Sequence, residues 1–252
     1  MIPRPFYRQT ACLWWQEDVR YLNQRYGDHP ALLRRQRQGP GDIGGGEGGG
    51  AVYFVYDSYH IASQDWAAVF DAALPDSIRG TADDGTFIGL WLDAHHGSDL
   101  SAGHFDGAYT YFASVGFSWG ATLGNWKHIR SWAEREDKIF VASVGPGYND
   151  EGIRPWNKHE TKPRGPNGEY FGRMWERALE DRADMVAITS YNEWGEGTQI
   201  ESAVATEGYF DYETEGGPDA YLRLTLQHAT TFQEAKRARE ERRSSDRRKG
   251  EL

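Results

Sequence analysis

The chain has 252 residues, enough for one large folded domain, of which 38% are hydrophobic and 26% charged. A net charge of −10 argues against a general nucleic-acid binder. The single cysteine, Cys12, excludes an intramolecular disulfide and a cysteine-based zinc site, no apolar run reaches the length of a membrane span, and the N-terminal MIPRPFYR lacks a signal-peptide apolar core.

In chain order, Val19, Leu22 and Tyr26 fall at helical spacing, so residues 14–26 read as a helix stopped by Gly27. Residues 38–50 are glycine-rich, cannot bury apolar surface and read as a flexible loop; they lack the Lys-Ser/Thr pair of a phosphate-cradling loop. Five strand candidates follow, at residues 51–56, 86–92, 108–113, 138–144 and 185–189. Most are continuous apolar or aromatic runs, as strands buried on both faces require. Helical segments at 63–73, 125–135 and 170–180 lie between them, and the alternation predicts a parallel sheet with crossover helices. A charged tail, residues 232–252, reads as a helix fraying into disorder beyond a main domain of residues 1–231. Its last four residues, KGEL, loosely resemble an endoplasmic-reticulum retrieval tetrapeptide, with Gly250 where that signal carries Asp.

All five strand candidates carry a Tyr, a His or an acid at or just past the end of the apolar run, which suits a barrel whose C-terminal face is a site. The run from Ser190 to Gln199 is the most telling: Glu193 and Glu196, three residues apart, stand among Asn192, Trp194 and two glycines just past a strand. Gly195 and Gly197 permit the bend that would turn both acids to one cavity. Two carboxyl groups so placed can divide the acid and base work of breaking a glycosidic bond. The 10 Trp and 14 Tyr suit this chemistry, because aromatic faces stack on the C–H faces of sugars.

A second segment runs from Gly145 to Asn157. Gly-Pro-Gly fixes a tight turn after a strand and is followed by Tyr148. Arg154, Trp156 and Asn157 then offer a donor fork, a stacking plane and an amide for sugar hydroxyls, or alternatively a structural turn anchored by Trp156. His95 and His96 would point to opposite faces of an extended chain, which disfavours a shared metal ion, and His60 lines a cleft by position alone. Ser58 and Ser143 have no nucleophile-elbow pattern beside them.

Several segments together resemble the glycoprotein endo-α-1,2-mannosidases of glycoside hydrolase family 99. They are RYGDHP at 25–30, FVYDSY at 54–59, SIR at 77–79, FDGAYTYFAS at 105–114, NWK at 125–127, SVGPGY at 143–148, IRPWN at 153–157 and NEWGEGTQIE at 192–201. NGEY at 167–170 and YFDY at 209–212 fall in the expected order, and the likeness covers residues 15–235.

The resemblance implies a (β/α)8 TIM barrel and an endo-acting retaining hydrolase of glucosylated high-mannose N-glycans or, as in bacterial relatives, of α-mannans. Its mechanism would run through a 1,2-anhydro sugar, with Glu193 the base that assists the 2-hydroxyl and Glu196 the general acid, then base, at the glycosidic oxygen. Tyr56, Tyr59 and Tyr111 would border the cleaved sugar, Arg154, Trp156 and Asn157 would lie toward the leaving group, and Tyr148, Asn192 and Trp194 join them as substrate-contact candidates. No metal or other cofactor is expected, and the implied compartment is the Golgi. The chain departs from the family in one respect: roughly three βα units that precede RYGDHP in a complete barrel are missing, so a partial barrel with exposed strand edges is expected. Two other functions stay open, a glycan-binding remnant without activity and a barrel glycosidase of another family working by double displacement.

Overall fold

A computed structural model describes residues 4–35, 49–157, 160–204, 212 and 216–250. They fall into two units, one of residues 1–109 with 132–139 and one of residues 110–131 with 140–252. The predicted glycine-rich loop lies outside the described residues except for its end, where Gly50 is already the first residue of a strand.

The first unit opens with α1 (Arg4–Tyr26), followed by β1 (Arg34–Arg35), β2 (Gly50–Val55), α2 (Ser63–Phe70), β3 (Thr86–Leu90), α3 (His96–Ala102) and β4 (Gly107–Tyr109). β1 pairs antiparallel with the start of β2, while β2 with β3 and β3 with β4 pair in parallel, with Val52 opposite Thr86 and Ile88 opposite Gly107. Every residue of β3 is buried, as its unbroken apolar run requires, whereas β2 is half-buried and leaves Phe54 exposed. Helix α1 stops at Tyr26, as Gly27 predicts, but its buried face differs from the expected one. Gln16 and Val19 are buried while Leu22 and Tyr26 are exposed. The helix is held by Trp15, which packs edge-on against Trp66, Phe70 and Phe87 at 5.2–5.5 Å. Each such aromatic contact adds about 0.5–1.5 kcal/mol beyond its burial.

Helix α3 is absent from the sequence reading, which had an extended chain at His95 and His96. His95 instead caps the helix in the α region and His96 is its first residue, so the two rings meet edge-on at 4.8 Å. The helix is short and offers little periodicity. What seats it is Gly89 on β3, where a β-carbon would lie 2.3 Å from the Leu100 side chain.

In the second unit, the residues of β5 (Ile139–Val144) from Phe140 onward and β6 (Met185–Ile188) pair in parallel, Val141 opposite Met185 through Val144 opposite Ile188. α4 (Trp126–Arg135) leads into β5, and α5 (Glu169–Glu180) is the crossover between the two strands. α5 buries Tyr170, Phe171, Met174, Trp175 and Ala178, a stripe at helical spacing. α6 (Ala220–Gly250) packs on α5 through His228, which stacks on Trp175 at 5.7 Å, and continues as helix through the charged segment where composition suggests fraying. The strand expected at 108–113 ends at Tyr109, because the backbone turns left-handed at Tyr111, φ 59°.

Candidate active site

The predicted site residues of the second unit lie on three chain segments: Tyr111 beyond β4, residues 145–157 beyond β5 and residues 190–201 beyond β6. The last is a pinned loop. Ser190 and Thr198 bond through the Ser190 amide and Thr198 carbonyl at 2.9 Å and through their hydroxyls at 2.8 Å. Between them lies a short 3-10 turn, Trp194–Glu196, with Glu193 as the residue that caps its start and Glu196 at its end. The Ser190 hydroxyl accepts the Glu193 amide at 2.9 Å, and the Trp194 indole donates to Glu201 at 3.0 Å. Gly197 adopts φ 60°, and a β-carbon there would crowd the Asn149 backbone at 3.1–3.2 Å, so glycine is required on both counts. The close approach lets the Asn149 amide donate to the Glu196 carbonyl at 2.8 Å.

Arg164 and Asp150, neither of which sequence patterns single out, secure this geometry. Arg164 is buried against the rings of Tyr212 and Tyr221, and its Nη2 donates to the carbonyls of Gly197 and Gln199 at 2.9 and 2.8 Å. Asp150 is fully buried, and its Oδ2 accepts from Tyr148 Oη at 3.0 Å, Asn157 Nδ2 at 2.9 Å and Arg154 Nη1 at 3.2 Å. The same Arg154 nitrogen donates to Glu196 Oε1 at 2.9 Å. Burial opposes the Asp150 carboxylate, but the bonds from Asn157, Tyr148 and Arg154 outweigh it and hold its pKa below the ordinary carboxylate value. Tyr148 is pushed far up, by burial first and then by its bond to Asp150, so it is a neutral donor.

Tyr148, Arg154, Asn157 and Glu196 are thus brought into one hydrogen-bonded cluster, with Glu193 one turn away. Glu193 and Asn192 are solvent-exposed and Trp194 half-buried. Trp156 is 76% exposed, which argues against a buried anchor for the turn. Tyr111 is fixed through its backbone: its amide donates to Ser143 Oγ at 2.7 Å, and its carbonyl accepts the Thr189 hydroxyl. A left-handed tyrosine is costly, on the order of 1 kcal/mol, and such positions gather at functional sites. Ser143 is therefore a buried structural acceptor, as is Ser58 in the first unit, which takes the Leu90 amide at 2.9 Å.

Tyr56 and Tyr59 belong to the first unit, both exposed past the end of β2, where Asp57 at φ 52° turns the chain. Tyr59 stacks on His96 at 5.6 Å beside a 350 Å³ cavity that His95 and Asp99 also line. The ligand atoms of His95, His96 and Asp99 lie within 4.8 Å of one another. His96 Nδ1, however, accepts the amides of Leu92 and Asp93 at 3.0 and 3.2 Å, so in the neutral ring Nε2 carries the proton and is a donor rather than a ready metal ligand.

Two acids thus stand at a pinned loop past a parallel strand, with an arginine and an amide in the same hydrogen-bonded cluster as one of them, a donor and acceptor set suited to sugar chemistry. The sequence profile of glycosyl hydrolase family 99 matches residues 5–234, and the chain belongs to that family. Among curated relatives it is 41% identical over 224 residues to a glycoprotein endo-alpha-1,2-mannosidase-like protein of Danio rerio, covering 87% of this chain and 49% of that protein. It is 38% identical over 213 residues to the glycoprotein endo-alpha-1,2-mannosidase of Rattus norvegicus, covering 83% and 44%. The solved GH99 endo-alpha-mannosidase of Bacteroides thetaiotaomicron superposes with a TM-score of 0.81 at 40% identity, over 89% of this chain and 63% of that one. That likeness supports a partial α/β barrel. The chain spans about half the length of the curated relatives it matches.

Proposed function

We propose that the chain carries the catalytic face of an endo-acting, retaining α-mannosidase that hydrolyses the α-1,2-mannosidic bond of glucosylated high-mannose N-glycans. The observation that carries this reading is the pair Glu193 and Glu196 on one pinned turn, with Glu196 held by Arg154. In the first step Glu193 takes the proton of the mannose 2-hydroxyl, and O2 attacks C1 from the face opposite the leaving group. The C1–O bond breaks as Glu196 gives its proton to the departing oxygen. In the second, Glu196 takes a proton from water, the water oxygen opens the 1,2-anhydro ring at C1, and Glu193 returns its proton to O2. Two inversions at C1 give retention, and the substrate's own hydroxyl replaces the carboxylate nucleophile of the usual scheme.

Tyr56, Tyr59 and Tyr111 are assigned to the cleaved sugar, with Arg154, Trp156 and Asn157 toward the leaving group and Tyr148, Asn192 and Trp194 as further contacts. Exposed ring faces at Tyr56, Tyr59 and Trp156 support those roles. The compartment is proposed to be the Golgi, as for processing of N-glycans; among the described residues no helix is long and apolar enough to cross a membrane. The test is product analysis on a glucosylated mannose oligosaccharide. Release of an intact disaccharide, first as the α-anomer, with no glycosyl ester detectable on Glu193 by mass spectrometry, is expected. A trapped ester would replace this mechanism with double displacement, and binding without cleavage would leave a glycan-binding module.

A further inference from the structure

Asp150 has no access to solvent, and three donors converge on its Oδ2, from Tyr148, Asn157 and Arg154. Its Oδ1 is buried too, with no hydrogen-bond partner among the described residues. Those donors need an acceptor, and a neutral amide oxygen would serve them without the penalty of a buried charge. The charge therefore calls for a separate reason, and the Arg154 nitrogen that bridges Asp150 and Glu196 supplies one.

A general acid must hold its proton until the leaving group departs. A guanidinium 2.9 Å from Glu196 favours the carboxylate and works against that role. Asp150 cancels the charge of Arg154, so Glu196 faces a neutral pair that still orients it. We propose that Asp150 is a positioning residue that neutralises Arg154 and thereby lets Glu196 serve as the general acid; this rests on the glycosidase reading of Glu196. The other groups of these segments are Tyr148, Glu193 and Arg164. Tyr148 is a neutral phenol, Glu193 sits across Gly195, and Arg164 is spent on the Gly197 and Gln199 carbonyls. The bond from Glu196 to Arg154 also leads the interactions that hold Arg154 charged, followed by that from Asp150, so the guanidinium keeps its proton throughout.

The test is the pH profile of kcat/KM on an α-1,2-mannosidic oligosaccharide, alongside carbon-13 NMR titration of the Glu196 carboxyl, which needs no turnover. In Asp150→Asn the alkaline limb and the carboxyl midpoint should both move to lower pH by about half a unit or more. In Tyr148→Phe, which removes one donor and keeps the charge, neither should move. If Asp150→Asn is too unstable to assay, Arg154→Met reads the same coupling from the other side, and both should rise. A limb and a midpoint that stay in place in folded Asp150→Asn or Arg154→Met overturn the proposal. Absence of cleavage by the wild-type chain would instead count against the glycosidase reading, and the NMR titration would still decide the coupling.

Discussion

Arg79 in the first unit and Arg154 in the second are both guanidinium groups bridging two acids, and they are built for opposite ends. Arg79 has a side chain 7% exposed, pairs with Asp84 at 3.2 Å and Asp106 at 2.9 Å, and donates to the carbonyls of Phe70, Gly85 and His104. It also lies over the rings of Phe70 and Phe87, so its donors and its faces are all engaged. Arg154 is 42% exposed at the side chain and joins a fully buried acid, Asp150, to a half-exposed one, Glu196. The closed node ties α2 to the ends of β3 and β4. The open one leaves the Glu196 carboxyl group partly exposed to solvent. Both arginines lie in segments that carry the family resemblance, SIR and IRPWN, and those segments do not separate a closed structural node from one proposed to act at the site. Exposure and the identity of the second acid do.

The sharpest way to break that distinction is Arg79→Met. It would strand Asp84 and Asp106, and loss of about 3–5 kcal/mol of stability is expected in denaturant unfolding; a loss below about 1 kcal/mol would mean Arg79 is not a closed structural node. A smaller effect is expected at His228, packed against Trp175 and Phe171 within the second unit. Burial lowers its pKa below 6.5, with Glu176 opposing weakly. The folded state therefore binds that proton less readily than the unfolded chain, so stability is full above the ordinary histidine value and falls as pH drops through 6.5. His228→Phe should flatten the decline in thermal midpoint between pH 7.5 and 5.5, values chosen to span roughly one unit on either side of that titration; an unchanged slope would exclude it as the group responsible. The smallest effect is expected for Trp156→Ala. Because the side chain is 76% exposed, stability should change by less than about 0.5 kcal/mol, while oligosaccharide binding weakens in calorimetry. A large stability loss would make it an anchor after all.

Much of this was legible in the sequence. The runs at 51–56, 86–92, 138–144 and 185–189 become β2, β3, β5 and β6 within two residues at each end, because parallel strands covered by helices carry near-continuous apolar runs. The fourth run misleads at its end: aromatic residues continue to Phe112, but the chain turns left-handed at Tyr111, held by Ser143 and Thr189 from two other segments. Helix α3 escapes notice because seven residues give no period, and its seat on Gly89 is a tertiary fact. For α1, the aromatic slot formed by Trp66, Phe70 and Phe87 selects Trp15 over Leu22 and Tyr26. At the site, Glu193 and Glu196 stand out because adjacent residues carry the pattern. Asp150 and Arg164 do not, since what marks them is the convergence of donors or carbonyls from distant positions.

Glu196 is where the open node meets the proposed chemistry, and Glu196→Gln tests both at once. Single-turnover cleavage of an α-1,2-linked mannose oligosaccharide should fall by about 10²–10⁴ relative to wild type, the usual worth of a general acid. Unfolding free energy should change by less than about 1 kcal/mol, as befits a half-exposed pair. Wild-type turnover in the variant, or its collapse to an unfolded chain, would contradict the assignment of Glu196 as the reactive acid of an otherwise independent scaffold.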